Sequence, residues 1–225
     1  MNRRTTRRNQ GIIMTSAAFE RFRFSFFEDK NSARDGLATA ALAELQGKEA
    51  AQAEEMLIGF LPDTRAVIGL GILRSRRAEP GLTRMFESEA RAQREAEAAG
   101  DGPWPTDQLV YLAKALWQIR PDRRWLDAIF GILATGGDWQ RQMAVEELRG
   151  VGDPAIVPAL IGALDDSEPL VRHHAARGLL EMYGLSTESL DPAHMMYRIM
   201  SDDIARRERG KQDILAAIDG RPIEP

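Results

Sequence analysis

"RQMAVEELRGVGDPAIVPALIGALDDSEPLVRHHAARGLLEMYG", residues 141–184, states one short pattern twice. Arg141, Ala144 and Leu148 set the spacing Arg-x-x-Ala-x-x-x-Leu, and Arg172, Ala175 and Leu179 restate it 31 residues later (172 − 141). The same offset carries Ala113 onto Ala144 and Trp117 onto Leu148, then Asp122 onto Asp153, Leu126 onto Val157, Ile129 onto Leu160, Gly131 onto Gly162 and Leu133 onto Leu164. Each unit therefore holds two apolar stripes at i, i+3, i+4 and i+7, the period of a helix rather than a strand. Between the stripes lie the breakers "RPD" at 120–122 and "GVGDP" at 150–154. In the second of these, Asp153 is placed to cap, and Pro154 falls in the first helical turn, where a missing N–H costs nothing.

Upstream the period stretches. Gly69, Leu73, Leu82, Met85 and Phe86 match Ala113, Trp117, Leu126, Ile129 and Phe130 at an offset of 44, and the additional residues sit in the insertion 87–107, a charged helical extension ending in a Gly/Pro loop. A weaker unit covers about 33–61, with Leu45 in its first helix and Leu57, Phe60 and Leu61 in its second. Residues 190–219 read as a closing helical hairpin broken near Gly210. A two-helix unit of this length cannot bury its own apolar faces, and stacking on its neighbours closes a continuous core. The expected fold is all-α, a right-handed α-solenoid of helix pairs (an α-α superhelix) forming one domain over 14–225, with its strongest repeats at 105–184.

Composition agrees with a globular chain: 44% hydrophobic and 28% charged residues, without an apolar run approaching the roughly 20 residues that span a bilayer. Cysteine is absent, which removes disulfides, thiolate catalysis and Cys-based zinc sites and favours a cytoplasmic location. The net charge of −4 hides an asymmetry, because Arg3, Arg4, Arg7 and Arg8 lie in the first 13 residues. Setting those four aside leaves 26 basic against 34 acidic residues, a balance of −8. A body of that sign repels a phosphate backbone, so nucleic acid is a disfavoured partner. Residues 1–13 read as a disordered basic tail or a misplaced start rather than a nucleic-acid-binding arm.

"GDPAIVPALIGALDDSEPLVRHHAARGLLEMYG", 152–184, resembles a HEAT repeat of the short bacterial class also found in phycobilin-lyase subunits. That pattern places Asp before a second helix, Asp at its end, then Val-Arg and a spaced Ala and Leu; Asp153, Asp166, Val171, Arg172, Ala175 and Leu179 stand at those places. The resemblance implies that Asp153, Asp166, Arg141 and Arg172 serve hydrogen bonding within and between repeats. It implies fold and not chemistry.

Candidate chemistry is sparse. His173, His174 and His194 are the three histidines. Adjacent on one helix, His173 and His174 point about 100° apart, a poor geometry for sharing one ion, so both read as surface residues and no metal is expected. HEAT-like di-iron hydroxylases carry His-Glu dipeptides, and this sequence has none. Glu146 and Glu147 read as a solvated helix face, and "TGGD" at 135–138 as a helix stop rather than a phosphate loop. Catalytic residues and cofactors are accordingly expected to be none. Trp117, Trp125 and Trp139 match Leu148, Ile156 and Leu170, which assigns all three to packing, whereas Trp104 in "GPWPTD" falls outside the repeat.

Solenoids present an extended concave surface lined mainly by second helices, and this points to Arg84, Arg123, Arg124 and Asp127, together with Trp104, as partner-binding residues. The expected function is a non-enzymatic protein-binding scaffold. Its specific form is a bacterial immunity or regulatory protein, whose acidity suits a basic toxin. The competing class is an enzyme, either a chromophore lyase-like subunit or a HEAT-like nucleic-acid base-excision enzyme.

Overall fold

Helices start and stop at the chain's own breakers. The computed structural model describes residues 15–28, 37–100, 107–188 and 194–223, and these form twelve α-helices and no strand. Helix α1 (Ala17–Arg23) runs into a π-helical turn, Phe24–Glu28; α2 (Thr39–Ala43), α3 (Gly47–Gly59) and α4 (Thr64–Ile72) follow. Next come α5 (Glu79–Ala99), α6 (Asp107–Ile119), α7 (Arg123–Thr135) and α8 (Asp138–Arg149). A 3-10 turn, Pro154–Ile156, leads into α9 (Val157–Ala163), then α10 (Pro169–Met182), α11 (Met195–Ile199) and α12 (Ile204–Ile218). Asp63, Asp122 and Asp153 accept backbone N–H groups from Arg65 (2.8 Å), Arg124 (3.0 Å) and Ala155 (2.7 Å), so each satisfies a donor that a helix start leaves free. Between α7 and α8, the "TGGD" stretch acts as a stop followed by a start. Gly136 N–H bonds back to Ile132 O, and Gly137 N–H donates to the Gln140 side chain.

The first helices α4, α6, α8 and α10 stack directly on one another in one layer; α5, α7 and α9 form the second, and the α11–α12 hairpin closes the end against α10. The result is an α-solenoid. Small residues set the spacing of the first layer. Gly69, Gly71, Ala113, Ala115, Ala144, Ala175, Ala176 and Gly178 are all buried there, and a Cβ on Gly71 would stand 2.8 Å from the Ala115 Cα. Around this seam Leu112, Leu116, Leu126, Ile129, Leu148, Leu160 and Leu179 fill the interior. Ion pairs link the same helices across the stack: Lys114 to Glu147 at 2.5 Å and Arg149 to Glu181 at 3.0 Å.

Four expectations are revised. Leu116, not Trp117, takes the fully buried place opposite Leu148, and Trp117 is half-buried. Trp139 is 55% exposed and its match Leu170 40% exposed. Both are the second residue of a first helix, in the opening turn, which projects beyond the seam. In the 33–61 unit Leu45 lies past the end of the short α2, and Phe60 and Leu61 lie past the end of α3, Phe60 exposed. Finally, α12 passes unbroken through Gly210, and the hairpin turns at Met200–Asp203 instead. Gly210 is a contact glycine: a Cβ there would come within 2.7 Å of Ile199 N and 2.9 Å of Arg198 Cβ.

Leu148→Ala is expected to cost about 2–5 kcal/mol through lost burial and a residual cavity. Gly210→Ala should destabilise because it meets backbone. Gly131→Ala, with open space around its Cβ on an exposed face of α7, should raise stability by about 0.5–1 kcal/mol. Urea unfolding of the three variants checks the ordering.

Candidate interaction surface

Antiparallel helix pairs put every second-to-first turn on one edge of the stack and every first-to-second turn on the other. On the first of these edges, Arg141 in α8 reaches the turn before α10. Its guanidinium donates to both Asp166 carboxylate oxygens at 2.8 Å and to Gly136 O at 3.0 Å. Asp166 also accepts Glu168 N–H at 2.8 Å. Burial alone pushes the Asp166 carboxyl up, but the bonds from Arg141 and Glu168 outweigh it and hold the group below its ordinary value; Arg141 is raised in turn. Arg172 is wholly buried. It donates to Ile199 O (2.7 Å), Asp166 O (2.7 Å), Ser167 O (2.8 Å) and Ser201 O (3.3 Å), so one guanidinium joins the α9–α10 turn to the α11–α12 hairpin. These bonds fix the edge as a rigid frame.

Trp139 and Leu170 project from that frame at equivalent places in α8 and α10. Asp138 and Asp165 are exposed around them; Asp138 contacts Arg141 at 3.0 Å and Asp165 meets Lys211 at 2.6 Å. A cleft of about 270 Å³ opens between the C-terminal halves of α7 and α9, lined by Phe130, Leu133, Ala134, Ala159, Gly162 and Asp166, and Asp166 joins it to the frame. Its small residues leave room that the first-helix layer lacks. The edge thus joins exposed apolar groups, an open cleft and carboxylates.

The residues expected from sequence lie elsewhere on the second helices. Arg84 is exposed on α5. On α7, Arg123 is tied to Asp127 at 2.7 Å and stacks 5.3 Å from the Phe130 ring, while Arg124 meets Asp122 at 3.3 Å and lies 4.0 Å over the buried Trp125. All four are accessible, yet Arg123 and Asp127 neutralise each other. Trp104, the loop around it and the tail 1–13 lie outside the described residues. Sequence matching placed Trp139 inside, and the signal available against that was its position immediately after the "TGGD" stop.

His173 and His174 on α10 are half-buried rather than on the open surface, with rings 5.5 Å apart and both Nδ1 atoms buried without a hydrogen-bond partner among the described residues. Burial lowers the pKa of both. His174, Arg177 and Arg149 add to the effect at His173; at His174, Glu146 partly opposes it. Among the described residues no three His, Asp or Glu side chains are grouped to hold a metal, and no helix is long and apolar enough to cross a membrane.

The lowered pKa values have a stability consequence. Below an ordinary histidine pKa of about 6.5 the unfolded chain binds protons that the folded chain refuses, so stability falls with pH across the window beneath that value. The melting midpoint is expected to drop between about pH 7.5 and 5.5, and the double substitution His173→Gln with His174→Gln should flatten the drop. An unchanged slope in the double variant would contradict the assignment.

Comparison with known proteins adds one finding. Residues 126–209 match the family model of HEAT repeats. No curated protein and no solved structure matches the chain.

Proposed function

We propose that this chain, a HEAT-repeat protein over residues 126–209, is a non-enzymatic binding module that docks another protein on the Trp139–Leu170 edge and the adjoining α7–α9 cleft. HEAT repeats generally mediate protein–protein interaction, and a partner protein is the class of ligand they imply. The observation that carries the assignment to this edge is Trp139. A large aromatic group left 55% exposed on a rigid, hydrogen-bonded frame is costly in water and suited to anchoring a partner. The net charge of −4 favours a basic partner. In the specific form of this reading the chain is a bacterial cytoplasmic immunity or regulatory protein that occupies the working surface of a basic toxin.

Affinity purification from the native cell, with wild type and Trp139→Ala compared by mass spectrometry, tests the reading. Wild type should retain one basic protein stoichiometrically. Trp139→Ala should weaken its binding by about 30-fold or more, as loss of a hot spot of about 2 kcal/mol implies, with an unchanged melting midpoint. Retention of nucleic acid or a bilin chromophore in place of a protein would contradict it and favour the enzyme class.

A further inference from the structure

The opposite edge, at the first-to-second turns, carries a groove of about 670 Å³. It runs across the C-terminal ends of α4, α6 and α8, and Ile72, Arg74, Trp117, Pro121, Asp153 and Pro154 line it. Arg74 adopts φ 50°, the left-handed region that favours glycine. Its N–H bonds to Gly71 O at 2.9 Å and the next residue's N–H, on Ser75, reaches Leu70 O at 3.0 Å. This is the terminating pattern in which the left-handed place usually belongs to glycine. The same chain follows that preference elsewhere: α10 ends with Gly184 at φ 65°, with Gly184 N–H to Glu181 O at 3.1 Å and Leu185 N–H to Leu180 O at 2.8 Å. Among the described residues only α4 places an arginine there, in a backbone conformation that costs a residue with a Cβ more than glycine.

What the exchange supplies is a cation at the mouth of the groove. The guanidinium of Arg74 makes no hydrogen bond or ion pair with the described residues, whereas the nearby arginines are engaged. Glu79 holds Arg120 at 2.5 Å and Arg76 at 3.5 Å, and Glu55 holds Arg77. Behind Arg74 lies the half-buried indole of Trp117, with Pro121 and Pro154 as further apolar walls. Three helix C-termini end at the lining and bring partial negative charge to it, and Asp153 adds a carboxylate. That setting suits a ligand with backbone N–H groups to give and one carboxylate to place, and it repels a polyphosphate chain, which has no such donors.

We propose that this groove binds an extended segment of a partner protein that carries one carboxylate, placed on Arg74, and a neighbouring apolar side chain against Trp117. The site uses none of the residues of the Trp139 edge, so the two assignments stand or fall separately.

A displayed library of random 12-residue peptides, panned on the full chain, supplies the probes, and fluorescence polarisation measures enriched peptides against wild type, Arg74→Gly and Trp139→Ala. Enriched sequences should pair Asp or Glu with a large apolar residue. Arg74→Gly should weaken them at least tenfold while its melting midpoint equals or exceeds that of wild type, because glycine relieves the backbone. Trp139→Ala should bind them as wild type does. The proposal is overturned by enrichment without an acidic bias, by no enrichment, by undiminished binding to Arg74→Gly, by a lowered Arg74→Gly melting midpoint, or by single-stranded RNA competing at equal strength.

Discussion

Close approach of the first helices is the constraint on which the rest of the molecule depends. A helix pair of about 30 residues leaves an apolar face uncovered, and only a neighbour pressed against it closes the core. Gly71 and Ala115 between α4 and α6, and Ala144 and Ala175 between α8 and α10, permit that approach because each contributes at most a methyl group at its buried place. Once the first layer is packed this tightly, the turns at both edges are held in register. Guanidinium groups then lock the edge where the first helices start, Arg141 on Asp166 and Arg172 on four backbone carbonyls.

The two edges do different work because the chain reverses direction at each turn. At one edge the first helices start, and there Trp139 and Leu170 stand exposed. At the other the first helices end, and there Arg74 occupies a backbone conformation that glycine would fill more comfortably. Neither feature improves the packing. Both are placed by it, on a frame stiff enough to present them to partners.

The repeat itself was legible because burial imposes helical spacing on Ala113, Ala144 and Ala175 regardless of what surrounds them. Asp153 and Pro154 announced a helix start for a local reason, since capping needs only the residue and its next two neighbours. Reading failed where one repeat position serves two environments. Trp139 and Leu170 do match each other, but the place they share faces out, and apolar character alone does not say so. Trp117 slipped by one residue because Leu116 fits the narrow seam and an indole does not. Gly210 was read as a break when its role is to admit the α11 backbone, a contact between segments that no local pattern records. Arg74 gave no signal at all, because its left-handed backbone is visible only in the folded chain.

If the small-residue seam governs the stack, enlarging it should matter far more than enlarging the same helix elsewhere. The direct measurement is urea unfolding of Ala144→Leu beside Glu146→Leu, the first in the seam of α8 and the second on its exposed face. The account predicts a loss of about 1–3 kcal/mol for Ala144→Leu from overpacking and a change within about 0.5 kcal/mol for Glu146→Leu. Equal effects at the two positions would contradict it.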